Sequence, residues 1–279
     1  MSHFLVLGGT GKTGRRVLDH LTADGHTARA AARTPGPAAP GVEPVHFDWD
    51  DPMTHDAALA GAESVWIVPP SLRGDHPPLI AALAARAADA GVQRLVLLSA
   101  RGADQGPDNP LQQAEQAVAT AGLPVVVVRP AWFMQNFTES FFAPALSDGA
   151  LVAPTGTGAE PFVDVADIAA VGAAALTGRT APGAYDLSGP QALTFAEAAE
   201  VLSEHAGRPV QHVDVPVEEW VAGAAANGLP VEYAGILGGL FGLIRDGRDA
   251  HLSDGVERAL GRPATSLAVW AAREVRPSA

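Results

Sequence analysis

The sequence predicts an α/β fold: a doubly wound parallel sheet followed by a smaller, mixed but mostly helical C-terminal lobe. Three observations carry that prediction. Short apolar runs alternate with longer helical patterns as far as Arg129-Pro130. A glycine-rich segment, Gly8 to Gly14, follows the first apolar run directly. Beyond Pro130 the alternation stops and helical patterns dominate. Continuous apolar strands separated by helices imply a sheet buried on both faces, because right-handed crossovers put helices on each side.

Phe4–Leu7 reads as the first buried strand, and the glycine segment then opens a helix to about Asp24. Thr27–Ala32 and Pro44–Phe47 read as the second and third strands. Ser64–Val68, Arg94–Leu98 and Pro124–Val128 follow, each rich in strand formers and bounded by Gly, Pro or charge. Leu79–Ala90 and Leu111–Ala121 are the helical stretches between them. The segment 34–42, with three prolines and two glycines, is a loop. Past Pro130, short strands are expected around Ala150–Ala153 and Ala184–Leu187. Thr194-Phe-Ala-Glu197 has the spacing of a capping box. Asp164-Val-Ala-Asp167 opens another helix with acids in its first turn. The resulting plan is a nucleotide-binding sheet with a smaller lobe folded over its C-terminal edge.

Composition narrows the chemistry. At 279 residues the chain suits one or two domains and needs no staples to fold. It has no cysteine, which excludes disulfides, thiolate nucleophiles and Cys-ligated metals. With 31 acidic and 18 basic residues the net charge is −13, which argues against nucleic-acid and anionic-membrane partners. The only lysine is Lys12, so no catalytic lysine exists elsewhere. The nine histidines are scattered without a metal-ligand spacing, and no metal is expected. Met1-Ser2-His3 leads straight into the first strand without a targeting pattern. The apolar run Gly235–Ile244 is too short to span ~30 Å of hydrocarbon. A soluble protein of the cytoplasm is the expectation.

Gly8, Gly11 and Gly14 are spaced three apart, straight after a strand. Such glycines allow a tight turn, close approach to a pyrophosphate, and close helix–strand packing, while amides and helix dipole hold phosphate. Thr10, Lys12 and Thr13 join them as cofactor-binding positions. A Walker A loop is disfavoured, since its first glycine would fall at Val6. The second strand ends in Ala32-Arg33 and not in the acid that would bond a ribose 2′-hydroxyl. Arg33 either pairs with a 2′-phosphate or is an ordinary surface arginine, and the first reading favours NADPH over NADH. Asp48-Trp49 either contacts adenine or forms a turn with a packing aromatic. Pro69-Pro70 and Ser99 end the fourth and fifth strands, where a doubly wound sheet binds its ligand.

These residues resemble the NmrA-like atypical short-chain dehydrogenases, of extended Rossmann fold. The resemblance rests on residues 8–14, Arg33, Leu97-Leu-Ser99, Arg129-Pro-Ala-Trp-Phe-Met-Gln-Asn-Phe137, Pro161-Phe-Val-Asp-Val-Ala-Asp-Ile-Ala169 and Leu187-Ser-Gly-Pro-Gln-Ala-Leu-Thr-Phe195, which cover almost the whole chain. Within that branch it is similar to the festuclavine/agroclavine dehydrogenase-like group of ergot alkaloid biosynthesis, which implies specialised metabolism. The resemblance divides the chain into an NADP-binding domain, 1–130, and a substrate-binding lobe, 131–279, interleaved with the sheet edge. The sequence departs from short-chain dehydrogenases in lacking their Tyr-x-x-x-Lys pair. The corresponding segment reads Asn109-Pro-Leu-Gln-Gln-Ala-Glu115, and the only tyrosines are Tyr185 and Tyr233.

That gap limits the reaction. A reduced ketone leaves an alkoxide that needs a proton or strong donors. A reduced iminium does not, because hydride neutralises its charge. The expected activity is hydride transfer from NADPH to an activated C=N or C=C bond of a cyclic or aromatic small molecule. Ser99 is the candidate catalytic residue, donating near the nicotinamide or else capping backbone. Candidate substrate contacts are Arg101, Trp132, Phe133, Asn136, Tyr233 and Phe241. Arg101 would meet a carboxylate or phosphate, and the aromatics wall a pocket or simply fill the core. Trp220, Leu237 and Leu240 are placed with Phe241 in either a lid or ordinary packing. Asp164 and Asp167 are read as helix caps. The rival readings are a non-catalytic NADP(H)-binding redox sensor, a quinone or enone reductase, and a cofactor-scaffolded cyclase or isomerase. A small-molecule substrate is the expected partner, and a homodimer is left open.

Overall fold

The computed structural model describes residues 3–70, 73–104, 106 and 108–276. The chain forms two compact units. The first comprises Met1–Pro130, Val165–Leu187 and Asp254–Arg262; the second comprises Ala131–Asp164, Ser188–Ser253 and Pro263–Ala279.

The elements follow in chain order. They begin with β1 (His3–Leu7), α1 (Lys12–Ala23), β2 (Thr27–Ala32), β3 (Val42–His46), α2 (His55–Leu59), β4 (Ser64–Ile67), α3 (Pro77–Asp89), β5 (Arg94–Leu98), α4 (Pro110–Ala119) and β6 (Val125–Pro130). Next come α5 (Asn136–Glu139), α6 (Pro144–Asp148), β7 (Ala150–Val152), β8 (Ala159–Glu160), α7 (Val165–Leu176), β9 (Gly183–Leu187), β10 (Leu193–Thr194), α8 (Phe195–Ala206) and β11 (Gln211–Val213). Helices α9 (Val217–Ala226), α10 (Val231–Arg245), α11 (Gly255–Leu260) and α12 (Leu267–Glu274) complete the chain.

In the first unit, seven strands form one parallel sheet in the order β3-β2-β1-β4-β5-β6-β9. Phe4 to Leu7 and Ser64 to Ile67 are buried at every position, as strands covered on both faces must be. Gly172 of α7 explains how that helix approaches β4, since a Cβ there would lie 2.6 Å from Cζ3 of Trp66. The order reverses on either side of β1, which makes the carboxyl ends of β1 and β4 a topological switch point. Gly8, just past β1, sits beside Val68, just past β4.

Most strand ends fall within one residue of expectation, and two differ by two residues. The third strand begins at Val42 and ends at His46, because Ala28 to Ala32 pair with 42–46. The sixth runs on to Pro130, because its far edge pairs with β9, matching Arg129 with Asp186 and Pro130 with Leu187.

The second unit carries two small sheets, β11 parallel to β7 and β10 antiparallel to β8. Thr194 caps α8 through the full capping box with Glu197. Its core is aromatic: Phe137, Phe142, Phe162, Phe195, Phe241 and Trp270 are all buried together. Among the described residues, no helix is long and apolar enough to cross a membrane.

Candidate active site

The glycine loop is forced by sterics at two positions. A Cβ on Gly14 would lie 2.2 Å from the Gly8 carbonyl oxygen, and one on Gly9 would lie 2.9 Å from Ala30. Gly8 itself has φ +63°, in the left-handed region that favours glycine. Gly11 is held to Gly8 by a 2.8 Å backbone hydrogen bond and leaves the N-terminus of α1 without a side-chain cap. The first turn of α1 contains no acid. Gly8, Thr10 and Gly11 are exposed, Lys12 is half-buried, and Thr13 is buried under them. The result is an uncapped amide turn open to solvent, which suits a bound anion. Gly9, not among the positions singled out by spacing, is also sterically constrained, though less than Gly14; its signal was the doubled glycine at 8–9.

Arg33 lies at the end of β2, exposed, and its guanidinium makes no hydrogen bond or ion pair with any described residue. Arg29, in the same strand, is by contrast consumed by Glu43 and by the carbonyls of Ala58 and Ala60. Arg33 is therefore a cation held at the strand end and available to a ligand. Asp48 forms a turn: Oδ1 accepts from the Asp50 amide, and its carbonyl accepts from His55 Nε2. Trp49 packs edge-on against Phe47, with ring centroids 5.2 Å apart. The turn-and-packing alternative for this pair is the one the contacts support. Pro69 and Pro70 are half-buried just beyond β4.

Ser99 ends β5 and neither caps backbone with its side chain nor points a free proton outward. Its hydroxyl donates to Glu115 Oε1 at 2.5 Å. The same carboxylate is clamped by Arg129, with Nε to Oε1 at 2.9 Å and Nη2 to Oε2 at 2.5 Å. Arg129 Nη1 also donates to Asp104 at 2.6 Å. The hydrogen bond to Glu115 is the leading reason that the Arg129 guanidinium holds its proton even more firmly than usual. The expectation that Ser99 is a donor to ligand is thus corrected: an ionised carboxylate only accepts, so the serine proton is committed to it. Glu115 and Arg129 were quoted as parts of motifs but given no role. Their pairing across β5, α4 and β6 is visible only once the strand order is known.

Arg101 is half-buried, with its amide bonded to the Pro130 carbonyl at 3.0 Å. Tyr185, in β9, is buried with its hydroxyl donated to the Ala181 carbonyl at 3.0 Å.

In the second unit, Trp132 stacks at 4.7 Å on Phe241, which in turn lies 4.8 Å from Trp220. Trp132, Phe141, Trp220 and Tyr233 are half-buried around this cluster. Phe241 has no exposed surface at all, which corrects its assignment as a substrate contact: it is core on which the outer rings rest. Burial pushes the Tyr233 phenol above its ordinary pKa. Phe133 is half-buried and bridges to Val163, while Asn136 starts α5 with its amide bonded to the Phe133 carbonyl. Leu237 is buried in the same core and Leu240 is exposed. Asp164 is fully buried and bonds both Gln135 and Arg273. Asp167, in the first unit, pairs with Arg262 at 2.7 Å. Both acids serve as buried ion-pair partners at the start of α7.

The family described as NAD(P)H-binding matches residues 8–178, beginning at the first glycine of the loop. The chain belongs to this NAD(P)H-binding family. It is 36% identical to the NAD(P)H azoreductase of Xenophilus azovorans, covering 96% of both chains. It is 31% identical to the agroclavine dehydrogenase of Claviceps fusiformis, covering 92% of both. Its fold matches the triphenylmethane reductase of Citrobacter sp., solved in complex with NADP(H), with TM-score 0.81 and 26% identity over 99% of this chain and 100% of that one. Within the NAD(P)H-binding family the chain lies near the agroclavine and festuclavine enzymes, and it is an NAD(P)H-dependent oxidoreductase.

Proposed function

We propose that this oxidoreductase uses NADPH to reduce an activated C=N or C=C bond of a cyclic or aromatic small molecule, without a tyrosine–lysine pair. The observation that carries this reading is the state of the candidate donors in the first unit. Ser99 spends its proton on Glu115, Tyr185 spends its own on Ala181, and the only lysine stands in the glycine loop. None of these three would protonate an alkoxide formed there, whereas an iminium, enone or quinone carbon is already electrophilic.

The residues fit the cofactor. The uncapped turn at Gly8–Gly14 would hold the pyrophosphate, and Arg33 would pair with a ribose 2′-phosphate, favouring NADPH over NADH. When bound, NADPH supplies the hydride and leaves as NADP⁺. Residues Pro69, Pro70 and Ser99, at the carboxyl ends of β4 and β5, would border the nicotinamide half. The second unit's half-buried aromatics, Trp132, Phe141, Trp220 and Tyr233, supply apolar surface suited to a flat ring system. The names of two relatives, a clavine dehydrogenase and a triphenylmethane reductase, point to polycyclic or aromatic acceptors, while a third, an azoreductase, acts on an electron-poor N=N bond.

The test is NADPH oxidation with a panel of cyclic iminium salts, quinones and simple ketones. Turnover of the first two classes with none on ketones is expected; ketone reduction at a comparable rate would overturn the reading.

A further inference from the structure

The hydrogen-bond directions around Ser99 can be assigned without seeing a hydrogen. Arg129 can only donate, and it donates to both oxygens of Glu115. A carboxylate so held is ionised and can only accept. Ser99 must therefore donate to Glu115, and its lone pairs are left over. They meet no donor among the described residues. Glu115 and Arg129 are themselves nearly buried, with side-chain exposures of 9% and 12%, so water competes weakly for the arrangement.

We infer that Glu115, locked by Arg129, is a positioning residue that turns Ser99 into a hydrogen-bond acceptor, so that the site selects substrates and products presenting an N–H donor at the reacting nitrogen. A protonated cyclic imine and its amine product carry such a donor; a ketone or a cyclic ether does not. This rests on the reductase reading above and adds to it a preference that the missing tyrosine and lysine alone do not give. The acceptor role reverses the usual expectation for a serine at this strand end.

The roles are fixed by the chemistry of one side chain, which makes them switchable. In Glu115→Gln, one of the two acceptor positions becomes a donor, and because Ser99 shares Oε1 with Arg129 Nε, the amide nitrogen faces either Ser99 and Nε or else Nη2 of Arg129. In the first of these two orientations Ser99 accepts from Gln and aims its own proton outward as a donor.

The experiment compares binding of tetrahydroisoquinolinium with its ring-oxygen isostere isochroman, by calorimetry, with and without NADP⁺. No turnover is involved, so failure of the reductase reading is seen separately in the oxidation panel. The wild type should favour the ammonium by about tenfold or more, the strength of a hydrogen bond from a charged donor. Ser99→Ala should remove most of that preference, and Glu115→Gln should narrow it. Loss of a negative charge at 115 would by itself weaken any cation, so the double variant decides. If the hydrogen bond carries the effect, Glu115→Gln changes little once Ser99 is alanine. The inference is overturned if Ser99→Ala keeps the wild-type preference, or if Glu115→Gln acts equally in both backgrounds. Absence of any preference in the wild type, including no binding of either probe, overturns it too. A merely structural role for Glu115 would weaken both probes in parallel and leave their ratio unchanged.

Discussion

Gly14 packs so tightly on Gly8 that a single added methyl group would lie 2.2 Å from the Gly8 carbonyl oxygen. That oxygen also accepts the Gly11 amide, so the turn and the start of α1 are built on one atom. Gly14→Ala must displace backbone, and overpacking of this kind costs roughly 1–3 kcal/mol. The expected outcome is a lower melting temperature together with loss of dinucleotide affinity by at least about tenfold. Gly25→Ala is the useful control for strain alone. Gly25 also has positive φ, +79°, but nothing stands within 4 Å of its missing Cβ and it lies at the other end of α1.

Arg33 differs from Arg29 in that its guanidinium has no partner among the described residues. Arg33→Ala should therefore leave stability nearly unchanged. NADPH should bind on the order of tenfold or more weakly, as befits loss of one charge-assisted contact, while NADH is little affected. Equal weakening of both nucleotides would remove the 2′-phosphate assignment.

Phe241 is enclosed by Trp132, Trp220, Phe142 and Phe195. Phe241→Ala should cost roughly 3–5 kcal/mol in urea unfolding, the range for emptying a buried aromatic site. A rise in KM with undiminished stability would mean instead that this ring touches substrate.

Asp164 is wholly buried and its charge is answered by Arg273, whose side chain is 47% exposed. Removing the arginine takes the counter-charge from a buried carboxylate that keeps its hydrogen bond from Gln135. With the guanidinium half in water, Arg273→Ala should cost about 2–3 kcal/mol, the lower end for broken buried pairs. Asp164→Asn in the same background should recover part of the loss, because the remaining group is then neutral.

The capping box gives a pH dependence of defined sign. The backbone amide of Thr194, and then its hydroxyl, hold the Glu197 carboxyl below its ordinary pKa of 4.5. A folded-state pKa below the unfolded one contributes stability above pH 4.5 that disappears as pH falls through the folded value. Thr194→Ala should cost about 1 kcal/mol at neutral pH. The gap between this variant and the wild type should narrow on acidification below pH 4.5 without closing, because the hydroxyl's bond to the carboxylate fades while its bond from the Glu197 amide does not, as followed by denaturant titration at several pH values.

The strands that bind one another in sequence order were readable from their apolar runs, and so was the box at Thr194, because both signals are local. Strand β9 was also visible as a short strand, but its pairing with β6 was not, since nothing in Gly183–Leu187 names its partner. Strands β8 and β10 have two residues each, too few for any period to show. At the site, the glycine loop and Arg33 stood out because their signal is type and spacing. The commitment of Ser99 to Glu115 did not, since 16 residues of loop and helix separate them and the fold alone brings them together.

The return of the chain to its first unit sets a condition on its synthesis. A ribosome that has released Pro130 has delivered six of the seven sheet strands. The edge then on offer is β6, whose Val125-Val-Val-Val128 run pairs with β5 on one side and has no partner on the other until Gly183–Leu187 emerges. Helix α7, which packs on α1, is equally late. A nascent or truncated chain ending between these points presents an unpaired edge with four consecutive valines, a template on which chains join one another. Fragments ending near Pro130 should collect in inclusion bodies, and translation pauses in that interval should be more harmful than pauses after Arg262.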